Sequence, residues 1–177
     1  MKNGQRVEII RRGYRVLRYH ANPTIVPDTI GQHSANVAML CSILLGEKCT
    51  KKLIMYALMH DLAEQWTGDI PYPFKARNPV VKQTLDKAEE RFLFVNELDI
   101  PTLSGMEYDV FKAADILDLT YAAMDEVTKG NLELKPALET GLRILDGVKL
   151  PSSAQAILKE LRHDIDYQLR VRRIHFG

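Results

Sequence analysis

Runs in which polar and apolar residues alternate at every second position, the pattern of a half-buried strand, hardly occur in this chain, while apolar residues spaced three and four apart recur throughout. A chain patterned this way buries stripes, and the fold class it predicts is all-α, a helical bundle. Val7, Ile10, Tyr14 and Leu17 mark a first helix. Pro23 and Pro27 then enforce a loop, and Asp28 or Thr29 caps a second helix that runs through His33 to Leu45 and stops at Gly46. Thr50 is the expected N-cap of a third helix carrying KKLIMYALMHDLAEQW without a break, until TGDIPYP ends it with one Gly and two Pro. A helix charged outside and apolar inside follows from about Pro79 to Leu98, then a long one from Met106 to Lys129 with Gly130-Asn131 as its stop. Pro136 and Pro151 each fall near the start of a further helix, where proline is tolerated best.

The 177 residues, 46% of them apolar, suffice for one domain, 1–177, with its own core, and no repeat, linker or low-complexity stretch divides them. A formal net charge of +1 gives no general attraction to nucleic acid or to an anionic membrane, so neither is expected as a partner and any cationic site has to be local. MKNGQRVEIIRRGYRVL lacks the apolar core of a signal peptide, and nowhere do about eighteen apolar residues run together, so a cytoplasmic protein is expected. Cys41 and Cys49 match neither a disulfide framework nor a zinc clip and are expected to be reduced and structural.

Chemistry concentrates around His60-Asp61, four positions before Glu64, with His33 upstream and Asp115 downstream. The dipeptide alone is weak, because five His and a dozen Asp generate about a third of one such pair by chance. His163-Asp164 is such a decoy: it lies in LKELRHDIDYQLRVRRI, a helical stretch with a solvated charged face and no Gly-rich turn after it. On an unbroken helix His60 and Glu64 share a face and Asp61 lies about a hundred degrees round. His33 and Asp115 stand in apolar surroundings, GQHSANVAML and FKAADILDLT, where an unpaired polar group is costly and a shared divalent ion supplies the partner. The bland alternatives are a His33 bonded only to its own helix turn and an Asp115 paired with Lys112 or a distant Arg. Two imidazoles and two carboxylates with a third acid nearby instead suit a metal that activates water, which is the chemistry of a hydrolase.

The order His33, His60-Asp61, Asp115 resembles the HD-domain metal phosphohydrolases. Within them RVLRYH, IGQHSANVAM, MHDLAEQWTGDIPYPFK and FKAADILDLTYAAMDEVTKGN are similar to the bacterial 5′-deoxynucleotidases and to the related short phage dATP triphosphohydrolases, over about residues 10 to 131. The resemblance implies His33, His60, Asp61 and Asp115 as ligands of a divalent ion, zinc, cobalt, manganese or magnesium, because a mixed nitrogen and oxygen set does not choose sharply. It implies Glu64 as the acid that orients and deprotonates water, Asp69 as a second acid beside it, and Arg18 as the grip on phosphate. It also implies a deoxynucleotide substrate, and a homo-oligomer is expected. One departure stands out: those deoxynucleotidases usually have Trp-Pro after the Arg, where this chain has Tyr19-His20, so sugar or base contacts through Tyr19 and His20 differ from theirs.

Attack at the α-phosphorus releases a deoxynucleoside from either a monophosphate or a triphosphate. Lys75, Arg77 and Lys82 after the TGDIPYP loop, with Lys112 one turn before Asp115, favour room for a longer anion, so a triphosphate, dATP foremost, is the expected substrate and the monophosphate the alternative. A more distant alternative is a nucleic-acid-binding module without turnover, its surface made by Arg11, Arg12, Arg15 and Arg18 together with Arg170, Arg172 and Arg173.

Overall fold

The computed structural model describes residues 2–19 and 21–172. Among these residues the regular structure is helical: α1 (Asn3–Gly13), α2 (Ile30–Leu45), α3 (Lys51–Met59), α4 (Glu64–Thr67), α5 (Tyr72–Arg77), α6 (Pro79–Val95), α7 (Gly105–Thr128), α8 (Lys135–Gly147) and α9 (Ser152–Val171), with two short 3₁₀ turns between them. No described helix is long and apolar enough to cross a membrane.

The long helix α7 is the axis, packed by α2, α3, α8 and α9. Its start is fixed by a capping box in which Ser104 accepts from the Glu107 amide while the Glu107 carboxylate takes the Ser104 N–H and hydroxyl. Val110, Phe111, Ala114 and Leu117 meet Val37, Ala38, Cys41 and Leu44 of α2 in the core, each aliphatic side chain worth about 1.5–3 kcal/mol of burial. Gly141 lets α8 come close, because a Cβ there would overlap the Thr120 hydroxyl of α7.

Two sequence expectations about α1 and α3 need correction. The first helix ends at Gly13 and does not reach Leu17, because residues 14–18 pair instead with 28–31: Arg18 N–H donates to Asp28 O, Ile30 N–H to Val16 O and Gly31 N–H to Tyr14 O at 3.0–3.2 Å, around an antiparallel bridge between Leu17 and Thr29. Of the two candidate caps, Thr29 is the one that accepts from the Gln32 amide, leaving the Asp28 side chain free for other work. The third helix breaks at the His60-Asp61 dipeptide. Leu62, Glu64 and Trp66 N–H groups donate three residues back, to Met59, Asp61 and Ala63, so the chain tightens into 3₁₀ geometry between α3 and α4. His60 therefore caps α3 while Glu64 opens α4, so the two do not share one continuous helix. Short α5, which the proline-rich sequence did not signal, then precedes α6, a peripheral helix that buries none of its own residues.

Candidate functional site

His33 rides on α2 and is fully buried; His60 and Asp61 occupy the turn that ends α3; Asp115 sits on the facing side of α7. Their donor atoms converge. His33 Nε2 lies 3.2 Å from His60 Nε2, 3.3 Å from an Asp115 oxygen and 3.7 Å from an Asp61 oxygen, which is itself 3.1 Å from His60 Nε2. Ligands each about 2.0–2.2 Å from one zinc-sized ion stand a little over 3 Å apart, so this is the spacing of a first coordination sphere. His33, His60 and Asp115 offer donors all within 4.8 Å of one another.

Both rings are aimed by their other nitrogen. His60 Nδ1 is 2.8 Å from the Ala57 carbonyl, and His33 Nδ1 is 2.6 Å from Asp118 Oδ2, so each turns Nε2 inward. Asp118 also accepts from the Asn36 amide at 2.8 Å. The sequence reading missed this residue, though the signal was available: Asp118 lies one turn beyond Asp115 on the same apolar helix and raises the same question of a buried acid's partner. Phe111, edge-on to His60 at 4.9 Å between ring centroids, closes one wall.

The electrostatics follow from crowding. Burial alone would raise the Asp61 carboxyl, but the imidazoles of His60 and His33 outweigh it and hold it at about 2. Burial likewise opposes the ionisation of Asp115, yet His33 and Lys112 keep it well below the usual carboxylate range. His33 goes the other way: burial would lower it, but Asp115 and Asp118 raise it to about 9. Glu64, buried and then pressed by the charge of Asp61, is pushed up to about 9, with Lys75 Nζ 3.5 Å from its carboxylate opposing the shift. Carboxylates crowded to this degree call for positive charge between them.

Arg18 lies inward, its Nη1 2.9 Å from Asp28 Oδ2 and 3.5 Å from Asp118 Oδ2. Tyr19 stacks beside that guanidinium, 5.1 Å from its ring centroid, with φ at 56° and its amide donating to Asp69 Oδ2 at 3.0 Å. His20 lies outside the described residues. Lys112 pairs with Asp115 at 2.7 Å. Arg77 is exposed at the end of α5, and Lys82 pairs with Asp86 on the outer part of α6, whereas Lys75 reaches the site through its ion pair with Glu64. The decoy pair His163-Asp164 is exposed on α9. Of the arginines weighed for nucleic-acid binding, Arg18 is withdrawn into ion pairs, Arg12 pairs with Glu8, Arg172 bonds Thr128, and Arg173 is outside the described residues.

Comparison with known proteins converges on one group. The 5′-deoxynucleotidase PM0747 of Pasteurella multocida is 28% identical over 144 residues, covering 69% of this chain and 74% of its own, and a Photobacterium profundum 5′-deoxynucleotidase is 24% identical over the same length. Among solved structures, an HD-domain phosphohydrolase from Listeria innocua superposes with a TM-score of 0.78 at 20% identity, covering 98% of this chain and 97% of that one. The HD phosphohydrolase of cyanophage S-2L, solved with dA and one catalytic Zn²⁺ ion, gives 0.67 at 21% identity, covering 90% and 96%. The family model described as 5′-deoxynucleotidase YfbR-like matches residues 7–98, more than half the chain and the part that carries Arg18, His33, His60, Asp61 and Glu64; the chain therefore belongs to the YfbR-like 5′-deoxynucleotidases, hydrolases of the HD-domain fold.

Proposed function

We propose that this protein is a metal-dependent phosphohydrolase that cleaves deoxynucleotides at the α-phosphorus, acting on deoxynucleoside triphosphates, dATP foremost, to give a deoxynucleoside and triphosphate. The observation that carries the reading is the convergence of four side chains, with 3.2–3.7 Å from His33 Nε2 to donors of His60, Asp115 and Asp61 and 3.1 Å between His60 and Asp61, which fits one divalent ion of the zinc, cobalt, manganese or magnesium kind. Such an ion supplies Lewis acidity, lowering the pKa of a water and polarising a phosphoryl oxygen.

The chain's own groups do the rest. His33 seals the back of the site, while Asp61 and Asp115 keep 27% and 20% of their side chains open, so substrate approaches from their side. Glu64 takes the proton of the attacking water, in the carboxylate form that the positive charge of a bound ion beside Asp61 would favour over the protonated one. Lys75 holds that carboxylate in place. Arg18 offers the guanidinium nitrogens that Asp28 and Asp118 do not engage to a phosphate oxygen, and Tyr19 beside it faces sugar or base. Lys112, with half its side chain exposed at the open side, has donors left for phosphates beyond the first. That cation favours the triphosphate, and the dA in the cyanophage structure favours adenine.

Hydrolysis of the monophosphate to nucleoside and phosphate is the second reading, favoured by the curated relatives, which are 5′-deoxynucleotidases. The two separate cleanly by product. Incubation with dAMP, dATP, dGTP and ATP, with and without Co²⁺ or Zn²⁺, followed by phosphorus NMR, is expected to show tripolyphosphate from dATP; orthophosphate from dAMP with dATP untouched would transfer the assignment to the monophosphate. No hydrolysis of any nucleotide under either metal would remove both.

A further inference from the structure

We propose that Asp69 is a positioning residue, a latch that holds the Arg18-Tyr19 turn in its bent form through the backbone of Tyr19. Two observations meet here. The Tyr19 backbone sits at φ 56°, in the left-handed region that a bulky aromatic residue rarely adopts. The amide of that same residue donates to Asp69 Oδ2 at 3.0 Å, across 50 residues of sequence, and it is the sole hydrogen bond the Asp69 side chain makes to the described residues.

The turn is otherwise under tension. Its ends are tied by Arg18 N–H to Asp28 O and by Asn22 N–H to Tyr19 O at 2.8 Å, and the Tyr19 hydroxyl is buried without a partner among the described residues. A strained φ and an unsatisfied phenol each favour release of the turn. A charge-assisted hydrogen bond to the strained residue's own amide opposes that release. The consequence reaches the site, because the guanidinium that reaches Asp28 and Asp118 belongs to the residue just before. Asp69 follows Gly68, itself at φ 78°, where a left-handed backbone turns the chain out of α4 and delivers the carboxylate to the turn. One loop from the segment after His60-Asp61 is thereby clipped to another from the N-terminal segment.

This inference rests on the reading that Arg18 and Tyr19 serve the substrate, and it differs from a role for Asp69 as a second proton carrier. A latch needs only an acceptor oxygen, which asparagine also has; a proton carrier needs the carboxylate. D69N is therefore expected to keep kcat/KM for the preferred nucleotide within about threefold, while D69A loses about tenfold or more, chiefly through KM. Y19G relieves the strain, since glycine adopts this φ freely, so D69A is expected to cost less than about threefold in a Y19G background. Amide hydrogen exchange across residues 14–22 supplies a readout independent of turnover: exchange is expected to accelerate in D69A, with D69N close to the parent. Should the parent hydrolyse no nucleotide, the substrate reading fails while the exchange comparison still decides the latch. Equal losses in D69N and D69A, an undiminished cost of D69A beside Y19G, or unchanged exchange in D69A would each overturn the proposal. If D69A does not fold, a loss beyond about threefold in D69N still overturns the proposal, and D69L takes the place of D69A in the exchange comparison.

Discussion

Single side chains divide the labour in a way that substitutions can separate. Glu64 lies near the donor cluster without forming part of its 3.1–3.7 Å set, and its nearest ion-pair partner is Lys75. E64Q keeps shape and hydrogen bonding but cannot take a proton, so it is expected to retain metal at full stoichiometry while kcat falls at least about 100-fold. Normal turnover in that variant, with metal content checked by mass spectrometry, would take the base role away from it. Asp118 acts one bond further out, through His33 Nδ1. A carboxylate behind a metal-binding imidazole fixes the ring and raises its basicity, so D118N is expected to weaken zinc affinity by about 10–100-fold, read by competition with a chromogenic chelator. Unaltered affinity would reduce Asp118 to a packing partner of Asn36 and Arg18.

Elements bring these residues together through their ends more than their middles. Glu107 shows this best, since its carboxylate closes the α7 capping box and also accepts from Thr50 Oγ1, the N-cap of α3, at 2.7 Å. Hydrogen bonds from the Ser104 backbone, then from Thr50 and the Ser104 hydroxyl, hold its pKa down at about 2. A depressed carboxyl contributes stability above its unfolded pKa and loses it as pH falls through the folded one. The parent is therefore expected to exceed E107Q by about 1 kcal/mol near neutrality, with the gap closing between about pH 4.5 and pH 2. Melting curves across that range test it; a gap constant with pH would mean that the charge is irrelevant.

The same emphasis on ends explains what the sequence revealed. Helical spacing and Pro and Gly punctuation located α2 and α7 nearly to the residue and α8 and α9 by their starts, and the Thr29 and Thr50 caps were visible as residue types. The break at His60-Asp61 was not, because ALMHDLAEQW contains no helix breaker; it shows only in backbone hydrogen bonds that run three residues back. Nor did the sequence indicate that Leu17 leaves α1 to bridge Thr29, the pairing that carries Arg18 to Asp28 and Asp118. Residue types and chain order made His33, His60, Asp61 and Asp115 legible as candidates. Asp118 was visible as a further acid on the apolar α7, but its partner His33 and the tie between Asp69 and Tyr19 needed coordinates, since each depends on which neighbour the acid meets.

Across the whole molecule, the donor cluster sits where three packed elements meet: α2 through His33, the end of α3 through His60 and Asp61, and α7 through Asp115. Without positive charge between them, two carboxylates and two imidazoles crowd one point, and His33 is driven toward protonation at the expense of its ligating lone pair. An ion that binds only the folded arrangement stabilises it by mass action, about 4 kcal/mol at a thousand times its Kd. For a chain of this length each kcal/mol moves the melting temperature by roughly 2–4 °C, so saturating Zn²⁺ or Co²⁺ is expected to raise it by roughly 8–16 °C over chelator-treated protein. H60A and D115N should melt at the same temperature with and without the metal, because each removes a donor from the set. The comparison has a built-in control: E64Q, which leaves every donor in place, should show the full shift while failing to turn over. A shift of equal size in D115N and the parent would mean that the ion stabilises the protein somewhere else, and the junction of α2, α3 and α7 would lose its claim to be the metal centre.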